Sequence, residues 1–115
     1  MAITDTFLAE AAALLGPRGL TTDQDLIEPW LTDWRGRYHG RTPAMASPAS
    51  AAELSALVRL CAGHGVPIVP QGGNSGMSGG ATPGADGTSL LLSLRRMNAI
   101  GPIDADSRQV TCEAG

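Results

Sequence analysis

The stretch Ala44-Met-Ala-Ser-Pro48-Ala-Ser50-Ala-Ala-Glu53-Leu-Ser-Ala-Leu57-Val-Arg-Leu-Cys61-Ala-Gly-His64-Gly-Val66-Pro-Ile-Val-Pro70 decides how this chain folds. Ser50-Ala-Ala-Glu53 is a capping box, in which a hydroxyl and a carboxylate three residues on satisfy free backbone donors at a helix start. Leu54, Leu57, Val58 and Cys61 then recur at helical spacing as one apolar stripe, and Gly63 or Gly65 closes the C-terminus. Cys61 lies on that stripe and reads as core rather than as a reactive thiol. His64, in the last turn, reads as a surface cap that suits the helix dipole. Ala44–Ser47, ended by Pro48, and Val66–Pro70 are short apolar runs that read as buried strands. Strand, helix 50–64 and strand 66–70 make one βαβ crossover, which implies parallel strands.

C-terminal to this unit the chain turns glycine-rich: Gln71-Gly-Gly-Asn-Ser-Gly-Met-Ser-Gly-Gly80 holds glycines at 72, 73, 76, 79 and 80. Pro83, Gly84 and Gly87 extend the loop, and Thr88-Ser-Leu-Leu-Leu-Ser-Leu94 follows as a buried strand. Met97–Ile103 and Arg108–Cys112 read as two further short strands, joined by a turn at Asp104-Ala-Asp-Ser107. N-terminal to the unit, Thr4 caps a helix to Leu15 with Phe7, Leu8, Ala11, Leu14 and Leu15 on one face, stopped by Gly16-Pro17. Thr22–Asp25 starts a short helical turn carrying Leu26 and Ile27, which Pro29 limits. Residues 30–41 (Trp30-Leu-Thr-Asp-Trp34-Arg-Gly-Arg-Tyr38-His-Gly-Arg41) are an irregular strip holding three of the four aromatic residues. Two readings of the strip stand: a packed entry loop with solvated arginines, or a segment that contacts a ligand. The fold class is α/β (α+β), a small mixed sheet with a βαβ crossover, preceded by a helical lead-in over 1–42.

At 115 residues the chain is one modest domain. The 43% hydrophobic and 17% charged content argues against disorder, and the 15 glycines without a Gly-X-Y period belong to loops rather than to collagen. A net charge of −3 argues against nucleic-acid partners. All eight basic residues are arginine, so no Walker A loop and no Schiff-base lysine can be built from this chain. Cys61 and Cys112 are far apart and read as reduced thiols. No basic residue precedes Arg18 and no apolar run reaches membrane length, so no signal peptide or transmembrane segment is expected and the compartment reads as cytoplasmic. His39 and His64 lack neighbours at ligand spacing, so no metal site is expected.

Successive backbone amides in a glycine loop converge on anions without Cβ interference. Asn74, Ser75 and Ser78 offer side-chain donors beside them. With no lysine, an anion here is held by backbone dipoles, hydroxyls and amides, which suits a static pyrophosphate better than a phosphoryl in transfer. The dinucleotide fingerprint fails, because the glycine spacing is wrong and Pro83 and Gly84 forbid a following helix. A flexible surface turn is the competing reading of such a loop.

Val69-Pro-Gln-Gly-Gly-Asn-Ser-Gly-Met-Ser-Gly-Gly80 resembles the flavin-pyrophosphate loop of the vanillyl-alcohol oxidase/p-cresol methylhydroxylase (PCMH) family. Glu28–Trp34 through Tyr38-His-Gly40, Ser47-Pro48 with Glu53–Leu57, Ser93–Asn98 and Val110–Gly115 are similar to the branch containing the D-2-hydroxy acid dehydrogenases. The resemblance implies the first subdomain of a PCMH-type FAD-binding domain over 43–115, incomplete at its C-terminal end. Pro70, Gln71, Gly72, Gly73, Asn74, Ser75, Gly76 and Met77 would line the pyrophosphate of FAD, with Gly79 and Gly80 letting the backbone pass close by. Some relatives carry a flavin-linking histidine where Asn74 stands, so non-covalent FAD is expected as far as this loop goes. The implied activity is oxidation of a small 2-hydroxy acid by hydride transfer to flavin, with the catalytic residues beyond Gly115 and none in this chain. A homodimer is the expected assembly. The alternatives are a non-catalytic nucleotide- or anion-binding module and an inactive truncated product.

Overall fold

A computed structural model describes residues 3–115. The elements in chain order are helix α1 (Asp5–Leu15), strand β1 (Leu20–Thr21), helix α2 (Gln24–Ile27) running into a 3₁₀ turn (Glu28–Trp30), β2 (Met45–Ala46), α3 (Ala51–His64), β3 (Ile68–Gln71) and β4 (Leu90–Ser93). Both long helices are capped as the sequence predicts. The Thr4 hydroxyl accepts from the Phe7 N–H at 3.1 Å and the Ser50 hydroxyl from the Glu53 N–H at 3.2 Å. The reciprocal Glu53 bond goes to the Ala49 N–H, one residue earlier than the ideal box, at 2.7 Å. Gly65 ends α3 in the left-handed conformation, φ 66°. The α-helix ends at Ile27, ahead of Pro29 as expected, and the chain continues only as one 3₁₀ turn, in whose first positions the missing N–H has no partner to lose.

The sheet order is β1-β2-β4-β3. β2 and β3 are parallel, as the crossover requires, but they are not neighbours. β4 lies between them, parallel to both, with Met45 opposite Leu91 and Val69 opposite Leu91 on its other side. β1 adds an antiparallel edge with Leu20 opposite Ala46, which makes the sheet mixed. The period of two then sorts the side chains. Ala44, Ala46, Leu90 and Leu92 pack with Phe7, Ala11 and Leu15 of α1 and Leu57 and Cys61 of α3. Met45 and Leu91 face the opposite side, against Ile27 and Leu31, with Trp30 and Val69 at the margin. Because β4 is covered on both faces, Leu90, Leu91 and Leu92 run apolar without alternation and Ser93 is buried too, the pattern of a central strand.

The apolar stripes are narrower than the sequence predicts. Leu14 of α1 and Val58 of α3 are exposed, since each lies about one residue's rotation past the face that meets the sheet. The larger departure is at the C-terminal end. In place of strands over 97–103 and 108–112 there are isolated antiparallel bridges, Ile100 with Cys112 and Asp104 with Gln109. A two-stranded ribbon without a third strand or a packed face is marginal, and Ile100, Ile103 and Val110 are exposed on it. Its turn forms as expected, with the Asp104 carboxylate accepting from the N–H groups of Asp106 and Ser107 at 3.1 and 3.2 Å.

Candidate functional site

β3 delivers the chain to the glycine loop through Gln71, which is buried at the strand end. Its Nε2 donates to two carbonyls, Trp30 and Ala81, each at 2.9 Å, while its buried Oε1 has no partner among the described residues. The first bond ties the loop entrance to the aromatic strip and the second ties entrance to exit. Three residues on, Asn74 holds a left-handed backbone, φ 54°, a conformation asparagine tolerates better than most residues. Its Nδ2 donates to the Thr32 carbonyl at 2.9 Å.

The strip that receives these bonds is a small hairpin. Thr32 and His39 bridge antiparallel, and the Thr32 hydroxyl meets His39 Nδ1 at 2.7 Å. The Asp33 carboxylate accepts from the Tyr38 N–H at 2.8 Å, while the Asp33 N–H donates to the Tyr38 carbonyl at 3.1 Å. Chiefly through that Tyr38 N–H, and against the opposing effect of burial, the Asp33 carboxyl is held below its ordinary value. The turn places the Tyr38 ring against the far end of the glycine loop. A Cβ at Gly79 would lie 2.9 Å from Tyr38 Cδ2, and Gly79 has φ +77°, so this position is fixed as glycine twice over. At the near end, a Cβ at Gly72 would lie 2.8 Å from the Ala114 carbonyl oxygen, where the chain returns past β3.

Between those close approaches the loop is open. Cβ atoms at Gly73, Gly76 and Gly80 would meet nothing within 4 Å. Among the described residues, no backbone N–H from Gly72 through Ala81 donates a hydrogen bond. Pro70, Gly73, Ser75, Gly76, Met77, Ser78 and Gly80 are exposed, and Gly72, Asn74 and Gly79 are half-buried. All the sequence-predicted site residues therefore fall on one continuous segment, but they divide by role. The Gln71 and Asn74 amide nitrogens already donate to the chain, so Asn74 is not simply the added anion donor that the sequence suggests. The other residues from Gly72 to Gly80 keep backbone N–H groups that meet no acceptor among the described residues, and the space beside Gly73, Gly76 and Gly80 is open.

The sequence reads Trp30, Thr32 and Tyr38 only as part of the strip, with no individual role. The crowding of aromatics into residues 30–41 was the one signal that this strip has a packing task beside the loop. A cleft of about 380 Å³ opens where strip and loop exit meet, lined by Arg37, Tyr38, His39, Gly79 and Thr82 among others. Arg95 stacks on Trp30 with its guanidinium carbon 4.7 Å from the ring centroid, and the Arg96 guanidinium donates to the Ser47 carbonyl at 2.8 Å. No helix of the described residues is long and apolar enough to cross a membrane.

An anion with several acceptor oxygens fits this donor set, as does a diphosphate that needs close backbone approach. Comparison with known proteins points the same way. Residues 42–115 match the family described as FAD binding domain. The chain is 36% identical over 103 residues to a probable mitochondrial D-2-hydroxyglutarate dehydrogenase of Oryza sativa subsp. indica, covering 90% of this chain and 18% of that protein. Alkyldihydroxyacetonephosphate synthase superposes with a TM-score of 0.73 at 25% identity, over 90% of this chain and 21% of that one. p-Cresol methylhydroxylase with substrate bound superposes with a TM-score of 0.67 at 25% identity, over 88% and 21%. The chain thus spans about a fifth of the length of the proteins it matches. With a mixed sheet that superposes on p-cresol methylhydroxylase and a family match running from Thr42 to Gly115, this chain belongs to the FAD-binding domain family.

Proposed function

We propose that the segment from Pro70 to Gly80 holds the pyrophosphate of non-covalently bound FAD, in an oxidoreductase that oxidises a small D-2-hydroxy acid. The observation that carries the reading is the run of unpaired N–H groups from Gly72 through Ala81, beside glycines whose Cβ positions are empty. When bound, FAD supplies the hydride acceptor. This chain's own residues bind and orient. The amides of residues 72–81 meet phosphate oxygens as charge-assisted donors. Gly73, Gly76 and Gly80 let those oxygens approach the backbone, and the exposed Ser75 hydroxyl adds a donor. Asn74 supports the non-covalent reading, since its carboxamide lacks the nucleophilic ring nitrogen of a linking histidine.

The chemistry belongs to residues outside this chain, with residues 43–115 assigned to the first part of the FAD-binding domain and 1–42 to its lead-in. The D-2-hydroxy acid substrate is inferred from the similarity to the rice D-2-hydroxyglutarate dehydrogenase. A reducing, cytoplasmic compartment suits the unpaired Cys61 and Cys112, whereas the rice relative is named as mitochondrial, so cell fractionation decides this point.

The test is a flavin titration of the full-length protein followed by anaerobic addition of D-2-hydroxyglutarate and D-lactate. Stoichiometric FAD that bleaches with a D-2-hydroxy acid supports the proposal. FAD or ADP bound without bleaching by any D-2-hydroxy acid supports a non-catalytic nucleotide-binding module instead. Absence of FAD binding overturns the proposal, and absence of ADP binding as well overturns both.

A further inference from the structure

The glycine loop has a difficulty built into its composition. Glycines lose more conformational freedom on ordering than any other residue, so a loop held only by its own backbone populates its binding shape rarely. The fraction of time spent in that shape divides directly into the observed affinity. The structure supplies two restraints from outside the loop backbone. Gln71 Nε2 bridges the carbonyls of Trp30 and Ala81, closing the entrance against the exit, and Asn74 Nδ2 pins the middle to Thr32. Both lead to the same short stretch of the aromatic strip. The Gln71 amide has only one sensible orientation, because its two acceptors are carbonyls. Its buried Oε1 is therefore left as an acceptor without a donor, an uncompensated cost that persists for the sake of the two bonds opposite.

Resting on the pyrophosphate reading above, we propose that Gln71 and Asn74 are positioning residues that act on FAD through the loop. Their side-chain donors clasp the loop to residues 30–32 and hold the 72–81 amides ready for the phosphates. A residue of this kind sets the rate at which competent sites are found. A residue that touches the phosphates sets the rate at which FAD leaves.

The experiment is stopped-flow FAD binding to the apo form of the full-length protein, with Gln71→Met and Asn74→Gly as variants. Methionine keeps the volume of Gln71 without its donors, and glycine keeps the left-handed backbone at position 74 without the Nδ2 group. The expected result is an association rate lowered about tenfold by Asn74→Gly, and further by Gln71→Met, with dissociation changed less than about twofold. The melting temperature of the apo Asn74→Gly protein stays near that of the parent. Should Gln71→Met fail to fold, Asn74→Gly alone decides. Unchanged association in Asn74→Gly overturns the proposal, and so does a loss of affinity that resides in dissociation. If the parent protein binds no FAD, the pyrophosphate reading itself fails, an outcome distinct from either of these.

Discussion

Replacing Gly73 by valine separates the binding role of the loop from its folding role. Gly73 does not use the left-handed backbone region, and a Cβ there meets no atom within 4 Å. The substitution therefore costs the apo protein less than about 0.5 kcal/mol, or roughly 2 °C in melting temperature. On the proposed reading phosphate oxygens enter that same open space, and an isopropyl group standing in it denies them the neighbouring amides. Two charge-assisted bonds at about 1.5 kcal/mol each make a loss of about 3 kcal/mol, roughly a hundredfold in Kd. Gly79→Val is the contrasting change. Its φ of +77° and its 2.9 Å approach to Tyr38 strain any side chain, so about 1–2 kcal/mol of stability is lost without FAD present. Flavin-fluorescence titration and thermal unfolding of the two apo variants give the comparison. Parental FAD affinity in Gly73→Val, or a melting loss as large as that of Gly79→Val, refutes the reasoning.

Leu57→Ala empties a fully buried position between α3 and the sheet and destabilises by about 2–5 kcal/mol, measured by denaturant unfolding followed by circular dichroism. Asp33→Asn tests the strip. The lowered carboxyl value means that Asp33 stabilises the fold above its ordinary value of 3.8 and loses that contribution as pH falls through the lower folded value. Stability of Asp33→Asn, measured on the acid side of pH 4, accordingly falls less steeply than that of the parent protein. Burial raises the Cys61 thiol above 9.0, so the unfolded chain ionises first and stability declines as pH rises past that value. Iodoacetamide at neutral pH should label exposed Cys112 in the native protein and reach Cys61 only after unfolding, read by peptide mass spectrometry.

What was legible in the sequence was local. The Ser50–Glu53 cap, the Leu57–Cys61 stripe and the Leu90–Ser93 run each state their own conformation through spacing within a few residues. The order of strands was not legible, because periodicity says which face a side chain takes but not which strand lies alongside. β4 lies between β2 and β3 with Leu90 and Leu92 buried on one face and Leu91 on the other, a burial that its own spacing does not assign to a neighbour. β1 is two residues long and exists through its pairing with β2, so it leaves no pattern of its own. The residues after Met97 alternate well enough to suggest strands, but pairing needs a covered face, and Ile100 and Ile103 have none. At the site, glycine spacing revealed the loop, whereas the roles of Gln71 and Asn74 depend on carbonyls 41 and 42 residues away.

Those distant carbonyls relocate the site. The family match begins at Thr42 and contains every glycine of the loop, yet Trp30, Thr32 and Tyr38 all precede it. A segment cut at residue 42 would keep each predicted binding residue and lose the acceptors of Gln71 and Asn74, together with the ring against Gly79. The lead-in is also part of the fold, since Phe7, Ala11 and Leu15 share one core with Leu57 and Leu90, and Ile27 and Leu31 cover Leu91 from the other side. An anion site made of backbone donors has no long cationic side chain that can adjust to the ligand, so its geometry must be fixed beforehand by whatever surrounds it. Here that surround is the aromatic strip, whose start packs with Ile27 and Leu31 against the sheet. On the proposed reading the glycines make room for phosphate, and residues 30–38 give that room its shape.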